Sequence, residues 1–104
     1  MSVSIKSKRE IEIMREAGKI LGTVMRDLSK EVKVGMSTYT LDKIGEEMIR
    51  SYGCIPSCKG YEGYPAAFCI SVNEAIVHSI PSKKIILKEG DIVSLDACLE
   101  YKGY

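Results

Sequence analysis

Residues 90–104 read Gly90-Asp91-Ile92-Val93-Ser94-Leu95-Asp96-Ala97-Cys98-Leu99-Glu100-Tyr101-Lys102-Gly103-Tyr104. From Ile92 to Leu99 the pattern is that of a strand. Period-two alternation puts Val93, Leu95, Ala97 and Leu99 on one face and Ile92, Ser94, Asp96 and Cys98 on the other. Lys102-Gly103 follows as the turn of a hairpin whose return strand has barely begun at Tyr104, so the strand is expected in an antiparallel sheet. Both faces are apolar or small, which predicts burial on both sides. A buried, unpaired carboxylate at Asp96 would cost several kcal/mol, of the order of one ion's desolvation. Asp96 is therefore expected to meet a cation, a metal or several hydrogen-bond donors. A sheet-edge Asp, or one bonded to backbone amides, meets the same demand. Asp91, just after Gly90, reads as a turn residue.

Upstream, Ser82–Gly90 is a basic connector around Ile85-Ile86-Leu87. Ala75-Ile76-Val77 reads as a short strand ended by Pro81, Asn73-Glu74 as a turn and Phe68–Val72 as a strand. The Gly-, Pro- and Tyr-rich segment Cys54–Pro65 reads as an ordered loop. Before it come two helices. Ile11, Met14, Gly18, Leu21, Met25 and Leu28 recur at helical spacing, Ser7 and Glu10 form a capping box, and Gly35 is expected just past the helix end. Leu41, Ile44, Met48, Ile49 and Tyr52 give the apolar face of the second helix, capped by Ser37 or Thr38 and ended at Gly53. The regular placing of Met14, Met25 and Met48 reads as core packing. Helix, helix, then strands argues α+β, with two helices packed on a mainly antiparallel sheet.

The bulk properties bound the function. The chain has 104 residues, 45% apolar and 28% charged, with a net charge of +1. That length suits one domain able to bury roughly two-thirds of its unfolded surface. Near-balanced charge gives no footprint for nucleic acid or an anionic membrane. No segment reaches the ~18 apolar residues of a membrane span, and the N-terminus has no signal-peptide core. Cytoplasmic location with free thiols is the expectation. Cys54, Cys58, Cys69 and Cys98 are spaced C-x3-C-x10-C-x28-C, without the paired knuckles of a closed zinc site.

Two further features carry chemistry. His78 is the sole histidine. It serves either as a structural loop residue or as a functional donor, and it cannot alone build a His-rich metal site. A pairing with Cys58 or Cys69 as an activated nucleophile has no supporting signal. Cys58-Lys59-Gly60-Tyr61-Glu62-Gly63-Tyr64-Pro65 sets two aromatic rings among glycines. Such a loop walls a pocket or simply packs on its own rings.

Taken together, Gly-Tyr-x-Gly-Tyr-Pro at 60–65, Cys-Ile-Ser-Val-Asn-Glu at 69–74, Val-His-Ser-Ile-Pro at 77–81 and Gly-Asp-Ile-Val-Ser-Leu-Asp at 90–96 resemble the type I methionine aminopeptidases, in that order. The resemblance runs from about Ser4 to Tyr104. It implies the N-terminal half of a pita-bread fold, in which two pseudo-symmetric α+β halves enclose a dinuclear metal site. By position, Asp96 matches the first metal-ligating aspartate. His78 matches the histidine that hydrogen-bonds substrate at the scissile peptide. Cys58, Tyr61, Tyr64 and Cys69 match residues of the methionine side-chain pocket, and a thioether suits soft, aromatic walls.

The family uses five metal ligands, and of these the chain holds Asp96. The others belong beyond Tyr104. Glu62 stands where some members have histidine. The resemblance thus implies residues 1–104 as a single partial domain, the first half of an enzyme that removes the initiator methionine from nascent proteins. It implies two divalent metal ions in the parent (cobalt, manganese, iron or zinc) that the fragment does not retain, and no activity for the fragment. The expected partner is the N-terminal methionine of peptides and nascent proteins, with no nucleic acid or membrane. The parent is expected as a monomer, the fragment as prone to self-association through an open apolar surface. The alternative is a non-catalytic peptide-binding or interaction module of the same fold.

Overall fold

A computed structural model describes residues 7–57, 59–60, 63, 65–73 and 80–103. Helix α1 spans Lys8–Glu31. The Ser7 hydroxyl accepts from the Glu10 N–H at 3.2 Å and the Glu10 carboxylate accepts from the Ser7 N–H at 3.1 Å, the expected capping box. Helix α2 spans Thr38–Ser51 and is capped by Ser37, whose hydroxyl accepts from the Thr40 N–H at 3.1 Å. Gly53 follows its last turn with φ +75°.

Gly35 differs from expectation. It has φ +90° but lies in the turn before α2, because α1 already ends at Val32 with extended backbone. There the Gly35 N–H donates to the Leu87 carbonyl at 2.8 Å, and the Leu87 N–H donates to Met36 at 2.8 Å. The connector around Ile85–Leu87 is thus laced to the joint between the helices. The buried Thr38 hydroxyl adds to this, accepting from the Ser82 N–H at 2.8 Å and donating to its carbonyl at 3.1 Å.

Strand β1 is Ile55–Pro56, β2 Phe68–Val72, β3 Val93–Ala97 and β4 Leu99–Glu100. β2 pairs antiparallel with β3, from Phe68↔Ala97 to Val72↔Val93. β1 pairs antiparallel with β4, Ile55↔Glu100 and Pro56↔Leu99. Cys98 interrupts what the sequence presents as one strand. Lys102 and Gly103 have φ +51° and +87°. Positive φ at both central residues is the conformation of a type I′ hairpin turn, and Gly adopts it without steric cost.

The core lies between the helices and one face of β2–β3. Val24 and Leu28 of α1, Leu41 and Ile49 of α2, Phe68 and Ile70 of β2 and Leu87 of the connector are buried together. Each such large side chain stabilises the fold by about 1.5–3 kcal/mol through its removal from water. Val93, Leu95, Leu99, Met25 and Met48 pack half-buried around them.

The expected stripe is only partly inside. Ile11 and Met14 are 44% and 49% exposed, so Met14 is not a core residue as its spacing predicts. The first turns of α1 overhang the core, and Met14, Ala17, Gly18 and Leu21 line an open apolar groove of about 220 Å³ with Leu99. Tyr52 is also exposed, because it sits at the C-cap, where the backbone leaves the helical path.

Candidate functional site

The register of β2 and β3 builds the site's frame. Phe68, Ile70 and Val72 face the helices, and so do their partners Ala97, Leu95 and Val93. The intervening residues therefore share the opposite face. There Cys69 lies directly opposite Asp96, and Ser71 opposite Ser94. Directly opposed residues of an antiparallel pair hold their Cβ atoms about 4.5–5.5 Å apart on the same face. The thiol and the carboxylate thus start from adjacent positions on one surface.

The sequence reading placed Asp96 in a strand buried on both sides, and here the structure corrects it. Ser94, Asp96 and Cys98 are exposed, while Ala97 is buried. No described residue covers the outer face, so the carboxylate keeps its water and needs no buried partner. Cys69 is half-buried and Cys98 exposed, and neither is in a disulfide.

The loop expected to form the pocket departs from the sheet beside Asp96. Along 100→93 the pairing partners ascend from Ile55 to Pro56 and then from Phe68 to Val72. The intervening stretch therefore leaves the ladder and returns to it. Its departure is marked by the Ser57 N–H, which donates to the Cys98 carbonyl at 3.2 Å. Its return is at Phe68, opposite Ala97. Cys58, Tyr61 and Tyr64 belong to this loop in sequence but lie outside the described residues, as does Glu62.

Helix α2 holds both ends of the loop. The Phe68 N–H donates to Asp42 Oδ1 at 2.8 Å. Asp42 is 1% exposed, and burial pushes its carboxyl above the usual carboxylate range against the pull of that hydrogen bond and of Lys43. At the other end the Lys59 ammonium donates to both Glu46 oxygens, at 2.9 and 3.1 Å. Arg50 Nε donates to Glu46 Oε2 at 3.1 Å, and Lys43 lies 3.7 Å from Oε1. The Lys59 hydrogen bond, then Arg50, hold the Glu46 carboxyl below its ordinary range.

Asp42 carries a stability prediction. Asp42→Ala removes the acceptor of a buried N–H and is expected to cost about 1–3 kcal/mol. A folded-state pKa raised above the ordinary carboxylate value means that the folded chain holds this proton more tightly than the unfolded one. The contribution of Asp42 is then full below that value and declines as pH rises through the folded pKa. Urea titrations of both proteins between about pH 4 and pH 7 should show a gap that narrows with rising pH. A gap that widens with rising pH would contradict this account.

The far end of β2–β3 is closed by Asn73, at φ +57°, a conformation Asn tolerates better than most residues. Its N–H donates to the Ile92 carbonyl at 2.6 Å, and its side-chain oxygen accepts from the Ile92 N–H at 2.9 Å. Asp91 accepts from the Lys88 N–H at 2.8 Å and from the Asn73 amide at 3.1 Å, which holds its carboxyl below the usual range. The turn readings of Asn73 and Asp91 therefore agree with the structure. Beyond Asn73 the chain runs to His78. That histidine and the expected strand at 75–77 lie outside the described residues.

Among the described residues no three His, Cys, Asp or Glu side chains gather to hold a metal ion. Asp96 is a hard oxygen donor of the kind divalent ions take, but one carboxylate is a ligand and not a centre. The described residues do not make a dinuclear site. No helix among them is long and apolar enough to cross a membrane.

The described residues thus present a carboxylate on an open sheet face, with a loop held at both ends by α2 beside it. Residues 12–104 match metallopeptidase family M24, and the chain belongs to that family. It is 48% identical over 102 residues to a methionine aminopeptidase of Clostridium acetobutylicum, covering 98% of this chain and 41% of that protein. It is also 48% identical over 99 residues to methionine aminopeptidase 1 of Bacillus subtilis, covering 95% and 40%. The crystal structure of methionine aminopeptidase from Thermotoga maritima superposes with a TM-score of 0.88 at 38% identity, over 97% of this chain and 41% of that one. The fold is thus α+β and matches the N-terminal part of the methionine aminopeptidase pita-bread fold, as expected. The chain spans about two-fifths of the length of these relatives.

The sequence reading missed Asp42, Gly45, Glu46 and Lys59. A signal existed for the first two. Positions 38, 41, 42, 45 and 49 form one helical stripe, and all are buried. An acid and a glycine within such a stripe point to a buried acceptor and a close approach. The Glu46–Lys59 pair has no sequence signal, because the loop path sets it.

Proposed function

We propose that the whole protein carrying this chain is a metal-dependent methionine aminopeptidase, and that residues 1–104 form the first half of its catalytic domain. The observation that carries this reading is the register pairing of Cys69 with Asp96 on one open face, in a chain similar over its full length to methionine aminopeptidases. Asp96 serves as a ligand of a divalent centre completed by residues beyond Tyr104. Cys58, Tyr61, Tyr64 and Cys69 form the pocket for the methionine side chain. His78 donates a hydrogen bond to substrate at the scissile peptide, where a donor aimed at developing charge lowers the barrier. The substrate is the N-terminal methionine of peptides and nascent proteins. The enzyme works as a monomer in the cytoplasm, with no nucleic-acid or membrane partner.

The test is hydrolysis of Met-Gly-type peptides with added cobalt or manganese. The whole protein is expected to release methionine and residues 1–104 alone to release none, since one carboxylate cannot hold two ions. Turnover by residues 1–104 that disappears with Asp96→Asn would place the complete centre within this chain and sink the half-domain reading.

A further inference from the structure

Asp42 and Glu46 stand one turn apart on α2, and each holds one end of the stretch between β1 and β2. At the return, Asp42 fixes Phe68, whose ring is fully buried in the core. At the departure the core offers less. Ser57, Lys59 and Gly60 are exposed, and the backbone bonds from Ser57 to Cys98 and from Lys59 to Pro56 are both 3.2 Å long. The side chain of Lys59 adds the tie across to the helix. Glu46 accepts it with both oxygens, its side chain being only 13% exposed, and is itself steadied by Arg50. A carboxylate with several cationic donors and little water is held more firmly than an isolated surface pair.

We propose that Glu46 and Lys59 are positioning residues for the substrate-side loop, setting where the segment following Ser57 stands relative to the face that carries Asp96. The proposal rests on the functional reading above, in which Cys58 and Tyr61 belong to the methionine pocket. Lys59 is the residue next to Cys58 and two before Tyr61. Fixing its ammonium on α2 therefore constrains the chain at Lys59, between the two positions. In this role neither Glu46 nor Lys59 needs to touch substrate. Their effect falls on how well the pocket is formed before binding, and so on KM rather than on the chemical step.

Two measurements on the whole protein decide it. Amide hydrogen exchange at Lys59 and Gly60 should quicken about threefold or more in Glu46→Gln and in Lys59→Met, with exchange in β2 and β3 unchanged. KM for a Met-Gly-type peptide should rise about threefold to tenfold at nearly constant kcat. Lys59→Arg, which keeps charge and donors, should restore both. Unchanged exchange in Glu46→Gln, or a fall in kcat at constant KM, overturns the positioning role. Should the wild-type protein cleave no methionyl peptide, the functional reading fails by itself, and the exchange rates still decide whether Glu46 anchors the loop.

Discussion

Asp96→Asn in the whole protein is expected to lower kcat/KM on methionyl peptides by more than about 100-fold, since changes to partners one step removed from a metal already cost 10–100-fold. The substitution keeps the side chain's shape and removes its charge. Asp96 is exposed and its described neighbours on that face are Ser94 and Cys69, so among the described residues no buried group depends on it for a hydrogen bond. The stability of residues 1–104 should therefore move by less than about 0.5 kcal/mol. This separates a site residue from a structural one: activity and bound metal fall while the urea midpoint of the 104-residue chain stays in place. Activity within tenfold of wild type would remove Asp96 from the metal site and return it to the sheet-surface reading.

Gly45→Ala is expected to destabilise the fold, although helix propensity alone predicts a gain of about 1 kcal/mol from exchanging Gly for Ala in a helix. A Cβ at position 45 would lie 2.7 Å from Phe68 Cζ and 2.9 Å from Leu28 Cδ2, and closer still to Phe68 Cε1. Real Cβ atoms do not approach so near, so something must shift. Phe68 and Leu28 are both at 0% exposure, so neither can yield by swinging out into solvent. Phe68 is further held by its N–H on Asp42, three residues before Gly45 on the same helix. Overpacking of this kind costs about 1–3 kcal/mol, which outweighs the propensity gain. In a domain of this size that lowers Tm by about 4–8 °C per kcal/mol. Gly45→Val should cost more. A urea midpoint that rises in Gly45→Ala would show that α2 can move off β2, and that the close approach is not required.

The sequence alone determined the two helices and the strands at Phe68–Val72 and Val93–Ala97, because those depend on local chemistry, whereas β1 at Ile55–Pro56 falls in the segment that reads as a loop. The capping box at Ser7 and Glu10, the Ser37 cap and the positive-φ turn at Lys102-Gly103 are contacts within a few residues, and each stands where its pattern puts it. Alternation likewise assigned Leu95 and Asp96 to opposite faces, since a strand has only two. Four ordered motifs were enough to indicate the family.

Tertiary structure decided what lies over each face. The same period-two pattern serves a strand covered on both sides and one open on one side, so nothing in residues 92–99 could show that Asp96 faces water. Helical spacing equally could not show that α1 overhangs its core, leaving Met14 exposed while Leu28 is sealed. The pairing of Cys69 with Asp96 across 27 positions depends on where the intervening chain turns back. The clamp of Asp42 and Glu46 on the two ends of the loop depends on which face of α2 the sheet takes. Those are long-range choices, fixed by the burial of Phe68 against Gly45 and Leu28, and they become visible only when the chain is folded.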